Sequence, residues 1–151
     1  MVVTAAGHVD YLLSPSRVGR VAYLALMSSG ELAFFDRDAG TILLYTPEAG
    51  LTGRYFSQSD VGNVMSMSEI RSMAFDSRNR LYVASTKKII RLVQDETPKL
   101  IAGIGAPLLN GTSRDDGLEA IRDIAISPTG HLYVLEEERL KRVPKDQLDR
   151  I

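Results

Sequence analysis

The feature that most constrains this chain is that it repeats itself. Three segments align: VAYLALMSSGELAFFDRDAGTILLYTPE from Val21, RSMAFDSRNRLYVASTKKIIRLVQDE from Arg71 and RDIAISPTGHLYVLEEERLKRVPKD from Arg122. Leu32, Leu81 and Leu132 share one column, about 50 residues apart. A fixed period of this length marks a repeat architecture, in which each unit buries its apolar face against its neighbours. Two places earlier stand Gly30, Asn79 and Gly130, the residue types that best tolerate positive φ in a tight turn.

Each copy reads as a set of short strands. In the third, Arg122–Ser127 alternates Ile124 and Ile126 against Ala125, and the turn Ser127-Pro-Thr-Gly130 follows. Proline in second place suits a type I or II turn. His131–Leu135 and Arg139–Val143 are the next two strands, and the middle copy repeats the plan with Ser72–Phe75, Leu81–Ala84 and Lys88–Val93. A fourth strand follows two of the copies, at Leu51–Ser57 and Pro98–Gly103. Short strands at regular spacing, separated by turn signals, predict an all-β architecture.

No fourth strand follows the third copy, but Val2-Val-Thr-Ala-Ala-Gly7 matches Lys99-Leu-Ile-Ala-Gly103 in character. The expected organisation is one module over residues 1–151. Its repeats run at approximately 8–57, 58–103 and 104–151, and residues 1–7 supply the outer strand that closes the last one.

Four-stranded antiparallel units repeated radially are the blades of a β-propeller. The details resemble the NHL-repeat propellers. The residues that carry the likeness are Ile101-Ala102-Gly103, then Asn110-Gly111 and Asp115-Asp116-Gly117, then Ile124-Ala125-Ile126, and finally Gly130-His131-Leu132-Tyr133-Val134. The middle copy has Met73-Ala74-Phe75-Asp76 and Leu81-Tyr82-Val83, and the first has Leu32-Ala33-Phe34 instead. Where the family pattern has Asp after Tyr-Val, this chain has Ala84-Ser85 and Leu135-Glu136. The resemblance implies three propeller blades. Propellers close with about 4–8 blades, so a homodimer forming a six-bladed ring is expected, or a longer propeller of which this is a part.

The net charge of −1 gives no field that would recruit nucleic acid or anionic lipid. The absence of cysteine excludes disulfides and thiolate chemistry. Together with an N-terminus that lacks a basic region, it points weakly to a reducing, cytoplasmic setting. No apolar run approaches the ~18 residues of a membrane span.

Side chains able to do chemistry are few. His8 and His131 are the only histidines and fall at unrelated repeat positions, whereas a zinc site needs several ligands converging. Asp115-Asp116-Gly117 and Asp60-Val-Gly62 lie in corresponding loops and read as turns, not calcium sites. The basic residues Lys87, Lys88, Arg91, Arg139, Lys141 and Arg142 adjoin Glu136–Glu138, so an RNA face is not expected. Tyr11 and Tyr55–Phe56 have no third equivalent of the kind a ring of sugar sites would need.

Arg71 and Arg122 align at the start of the innermost strands. There repeated arginines would bind an anionic peptide, phosphate or sugar acid, because the guanidinium fork suits bidentate partners. The competing reading pairs each with a carboxylate such as Glu69 or Asp123. No catalytic residue, metal or cofactor is expected. The function expected is a non-catalytic binding or assembly module that offers a loop-lined rim to a protein or peptide. The alternatives are an oligomeric sugar-binding propeller, or a fragment of a larger propeller enzyme or receptor.

Overall fold

The computed structural model describes residues 2–3, 9–10, 12, 19–103 and 120–151. Strands β1 (Val2–Val3) and β2 (Val9–Asp10) pair as a small hairpin. Blade 1 is an antiparallel sheet of β3 (Val21–Leu26), β4 (Leu32–Asp36), β5 (Thr41–Thr46) and β6 (Gly50–Phe56) in chain order. A loop holding α1 (Gln58–Val61) and a 3₁₀ turn (Met67–Glu69) leads to blade 2. Blade 2 comprises β7 (Ser72–Phe75), β8 (Leu81–Ala84), β9 (Ile89–Leu92) and β10 (Lys99–Ala102). Blade 3 is β11 (Ile121–Ile126), β12 (Leu132–Glu136) and β13 (Leu140–Val143), followed by helix α2 (Lys145–Asp149).

The chain is therefore all-β, built of up-and-down propeller blades. Among the described residues the third sheet has three strands. Most of residues 1–7, assigned above to its outer edge, lie outside the described residues, as do Asn110-Gly111 and Asp115–Gly117.

The blades stack through two apolar layers, and the period of two along each strand explains both. In blade 2, Met73, Phe75, Leu81 and Val83 face blade 1 and pack with Ala25, Met27, Phe35 and Ile42. Their alternate neighbours Ala74, Tyr82 and Ala84 face blade 3 and pack with Ile121, Ile124, Leu132 and Val134. A blade sandwiched on both sides has no solvent face, so Leu81–Ala84 is buried throughout. The turns between first and second strands use the expected residues: φ is +100° at Gly30, +59° at Asn79 and +93° at Gly130.

Helix α2 locks the end of the chain across the second layer. Leu148 is buried there. Buried Arg91 donates Nη1 to the Leu148 carbonyl (2.9 Å) and Nη2 to that of Ile151 (2.8 Å). Asp149 pairs with Arg80 of blade 2 at 2.7 Å and with Lys145 at 2.6 Å.

Candidate functional site

Antiparallel pairing brings three kinds of segment to one end of the blades. These are the starts of the inner strands, the turns between second and third strands, and the loop from blade 1 to blade 2. Arg71 and Arg122 both lie at this rim.

The inner strands of blades 1 and 3 are irregular here. In β11, Ile121 pairs with Glu136 and Asp123 with Leu135, which leaves Arg122 as the extra residue of a bulge. In β3 the extra residue is Tyr23, between Ala22 and Leu24, with φ at +58°. Bulges re-aim side chains and collect near functional sites, and positive φ on an aromatic residue is strain that its surroundings must hold. Arg37 does so: Nη2 donates to the Tyr23 hydroxyl at 2.9 Å, and the guanidinium lies 5.3 Å from the ring centroid.

Between the inner strands of blades 2 and 3, the Ser72 hydroxyl donates to Asp123 Oδ1 at 2.5 Å and accepts the Ile124 N–H at 3.2 Å. Arg71 and Arg122 each immediately precede a member of this bonded pair. Arg122 reaches Glu137 at 3.6 Å, with both side chains largely in water, so that pair adds little. Its expected carboxylate, Asp123, is taken by Ser72 instead. The exposed Arg71 side chain has no hydrogen bond or ion pair among the described residues, although its backbone N–H bonds the Ala84 carbonyl. The two arginines thus come to neighbouring strands on one rim.

Two clefts open at this rim, lined by the residues that lead up to Arg71 but by neither arginine. The larger, about 740 Å³, runs between the inter-blade loop and the blade 2 turn; Gln58, Ser66, Glu69, Thr86, Lys87 and Lys88 are among its lining. The smaller, about 400 Å³, is walled by Tyr23, Arg37, Gln58, Ser66 and Ile70 among others. Gln58 holds the loop in shape, donating to the Gly62 and Met65 carbonyls and accepting the Met67 N–H at 2.7 Å. Lys88 Nζ adds a bond to the Val64 carbonyl at 2.9 Å. Asp60 accepts both the N–H and the hydroxyl of Ser57, and these bonds hold its carboxyl below the usual range. The turn expected at Asp60-Val-Gly62 is instead helix α1, with Asp60 closing a capping box on Ser57.

A polar column at this rim was missed in the sequence. Asp36 and Glu136 end the second strand of blades 1 and 3, Ser85 follows that of blade 2, and all three are buried. Asp36 accepts the N–H groups of Asp38 and Ala39, and Ser85 accepts those of Lys87 and Lys88. Both cap the turn that follows. Glu136, one methylene longer than Asp, lies 3.2 Å from Lys141 and 3.8 Å from Arg139. The Leu32, Leu81 and Leu132 columns, extended by four residues, would have revealed it. His131, at the opposite end, accepts the Lys145 N–H on Nδ1 at 3.1 Å and serves to seat α2. His8 and Tyr11 lie outside the described residues, and Tyr55 packs edge-on to Phe56 at 4.4 Å. No group of three metal-ligating side chains gathers among the described residues.

Several solved structures share the fold. Virginiamycin B lyase from Staphylococcus aureus superposes with a TM-score of 0.53 at 15% identity, over 83% of this chain and 38% of that one. A gluconolactonase from Xanthomonas campestris gives 0.55 at 13% identity, over 86% and 46%. A proposed gluconolactonase gives 0.62 at 12% identity, over 95% and 44%. The chain therefore spans about two fifths of the length of the propellers it matches. No family model matches the sequence, and no curated protein does.

These neighbours correct the expectation of a non-catalytic binding or assembly module, because the propellers that share this fold carry the names of enzymes. The alternative, part of a larger propeller, accounts better for a likeness that spans about two fifths of each neighbour. The reason the sequence misled is physical. A site at a propeller rim draws single residues from blades about 50 positions apart, so it leaves no contiguous motif.

Proposed function

We propose that this chain contributes three blades to a propeller enzyme that acts on a small oxygen-rich substrate at the rim, with Arg71 and Arg122 binding the group on which negative charge develops. The observation that carries the proposal is Arg71 itself: a guanidinium with no hydrogen bond or ion pair among the described residues, flanking the fixed Ser72–Asp123 bond. Arginine holds planar oxyanions through two parallel hydrogen bonds, and donors aimed at developing charge are a large source of rate enhancement. Lactone opening is the reaction class taken from the name gluconolactonase. Water adds to the carbonyl carbon, the ring C–O bond breaks, the ring oxygen takes a proton, and the hydroxy acid product is the anion the arginines would grip. The proposal includes the NHL type of repeat, on the strength of Ile101-Ala102-Gly103 and Leu132-Tyr133-Val134.

The test is acid release from gluconolactone and turnover of virginiamycin B by the purified chain and by Arg71→Ala and Arg122→Ala. Turnover above the uncatalysed rate, cut about 100-fold by either substitution, is expected for loss of a charge-stabilising donor. No acceleration with either compound, or turnover indifferent to both substitutions, would overturn the reading.

A further inference from the structure

The two end blades each present a face that an inner blade buries, and strand register allows the comparison column by column. In blade 2 the face toward blade 3 holds Ala74, Tyr82, Ala84, Ile89 and Arg91, with Ala74 opposite Tyr82, Tyr82 opposite Arg91 and Ala84 opposite Ile89. The same pairings in blade 3 join Ala125 to Tyr133, Tyr133 to Arg142 and Leu135 to Leu140. Tyr82, Ala84 and Ile89 are fully buried, yet Leu135 is 45% and Leu140 69% exposed. Blade 3 thus carries a face built to receive a following blade.

Blade 1 carries the complementary kind. Leu24 and Leu26 sit opposite Phe34 and Leu32, as Met73 and Phe75 sit opposite Val83 and Leu81. Ile124 and Ile126 sit likewise opposite Val134 and Leu132. Those residues of blades 2 and 3 pack against the blade before them. Phe34 is buried, but Leu24 is 67% and Leu26 63% exposed, so the channel-side part of the face is open. Exposed large apolar side chains grouped in this way mark an interaction surface.

We propose that these faces meet between two copies of this chain, head to tail, with blade 3 of each seated against blade 1 of the other. Each open face matches in register one side of an interface the chain already makes, so the complement of each is present on the same molecule. The faces lie on opposite sides of the three described blades. Two copies bring six blades together, within the about 4–8 of closed propellers. The rim bearing Arg71 and Arg122 is then half of a site, completed by the same residues of the second copy.

The experiment is sedimentation of the full chain over a dilution series, with Leu24→Asp and Leu140→Asp alone and mixed. The wild type is expected at twice its 16.6 kDa mass. Each variant should be monomeric, with unaltered circular dichroism. The mixture should recover the doubled mass, because the mixed pair keeps one unsubstituted contact. Ala125→Arg is a second blade 3 variant should Leu140→Asp lose its fold. A folded wild-type monomer at every concentration, a dimer indifferent to Leu24→Asp, or a mixture that stays monomeric would each overturn the proposal. The inference is independent of substrate: a dimer without turnover refutes the enzyme reading and leaves this one standing.

Discussion

Replacing Asp149 with Asn tests how the last blade is fastened. The carboxylate lies 2.7 Å from Arg80 Nη2 and 2.6 Å from Lys145 Nζ, and these bonds bring its pKa from 3.8 to about 2. At about 1.36 kcal/mol per pKa unit, that difference has an upper bound of about 2.4 kcal/mol. A quarter of the side chain still faces water, and solvent screening brings the expected loss down to about 1 kcal/mol. The folded pKa lies below the unfolded one, so the contribution is whole above about pH 4 and is lost as pH falls toward 2. Urea unfolding of wild type and Asp149→Asn, run in parallel from pH 7 down to pH 2, is the assay. The stability difference should be about 1 kcal/mol at neutral pH and close over that acid window. A difference that persists undiminished at pH 2, or none at pH 7, would refute the assignment of the clamp to this charge.

Three further outcomes follow from the packing. Leu148→Ala empties a buried position under α2 and should cost about 2–4 kcal/mol in chemical denaturation. Ser72→Ala removes the hydroxyl shared by Asp123 and the Ile124 N–H; a loss of about 1–2 kcal/mol is expected, with hydrogen exchange at Ile124 rising. Gly103→Ala puts a Cβ 2.7 Å from the Lys87 carbonyl at a φ of +119°, so a fall in Tm is expected here, where Gly→Ala at a relaxed position would stabilise.

The rim owes its missed features to two effects. Ala84-Ser85 and Leu135-Glu136 look like departures from a family pattern when read along the chain. Aligned by strand pairing, Asp36, Ser85 and Glu136 are one column, in which Asp and Ser cap the following turn and Glu pairs with Lys141 and Arg139. The bulges at Tyr23 and Arg122 were equally hidden, because an inserted residue shows only against a partner strand. Arg91, read as part of a basic face, is buried and bonded to α2.

What the sequence determined by itself is the blade. Period-two alternation, glycine or asparagine at the positive-φ turns and a column of leucines about 50 residues apart are local or strictly periodic, and local physics suffices to read them. Tertiary structure alone decided which polar residues meet: Ser72 with Asp123 across 51 positions, Arg80 with Asp149 across 69, and the two arginines on one rim. Those meetings depend on how blades stack. Stacking is set by side chains on both faces of each sheet acting together, a sum over distant residues that no single stretch of chain contains.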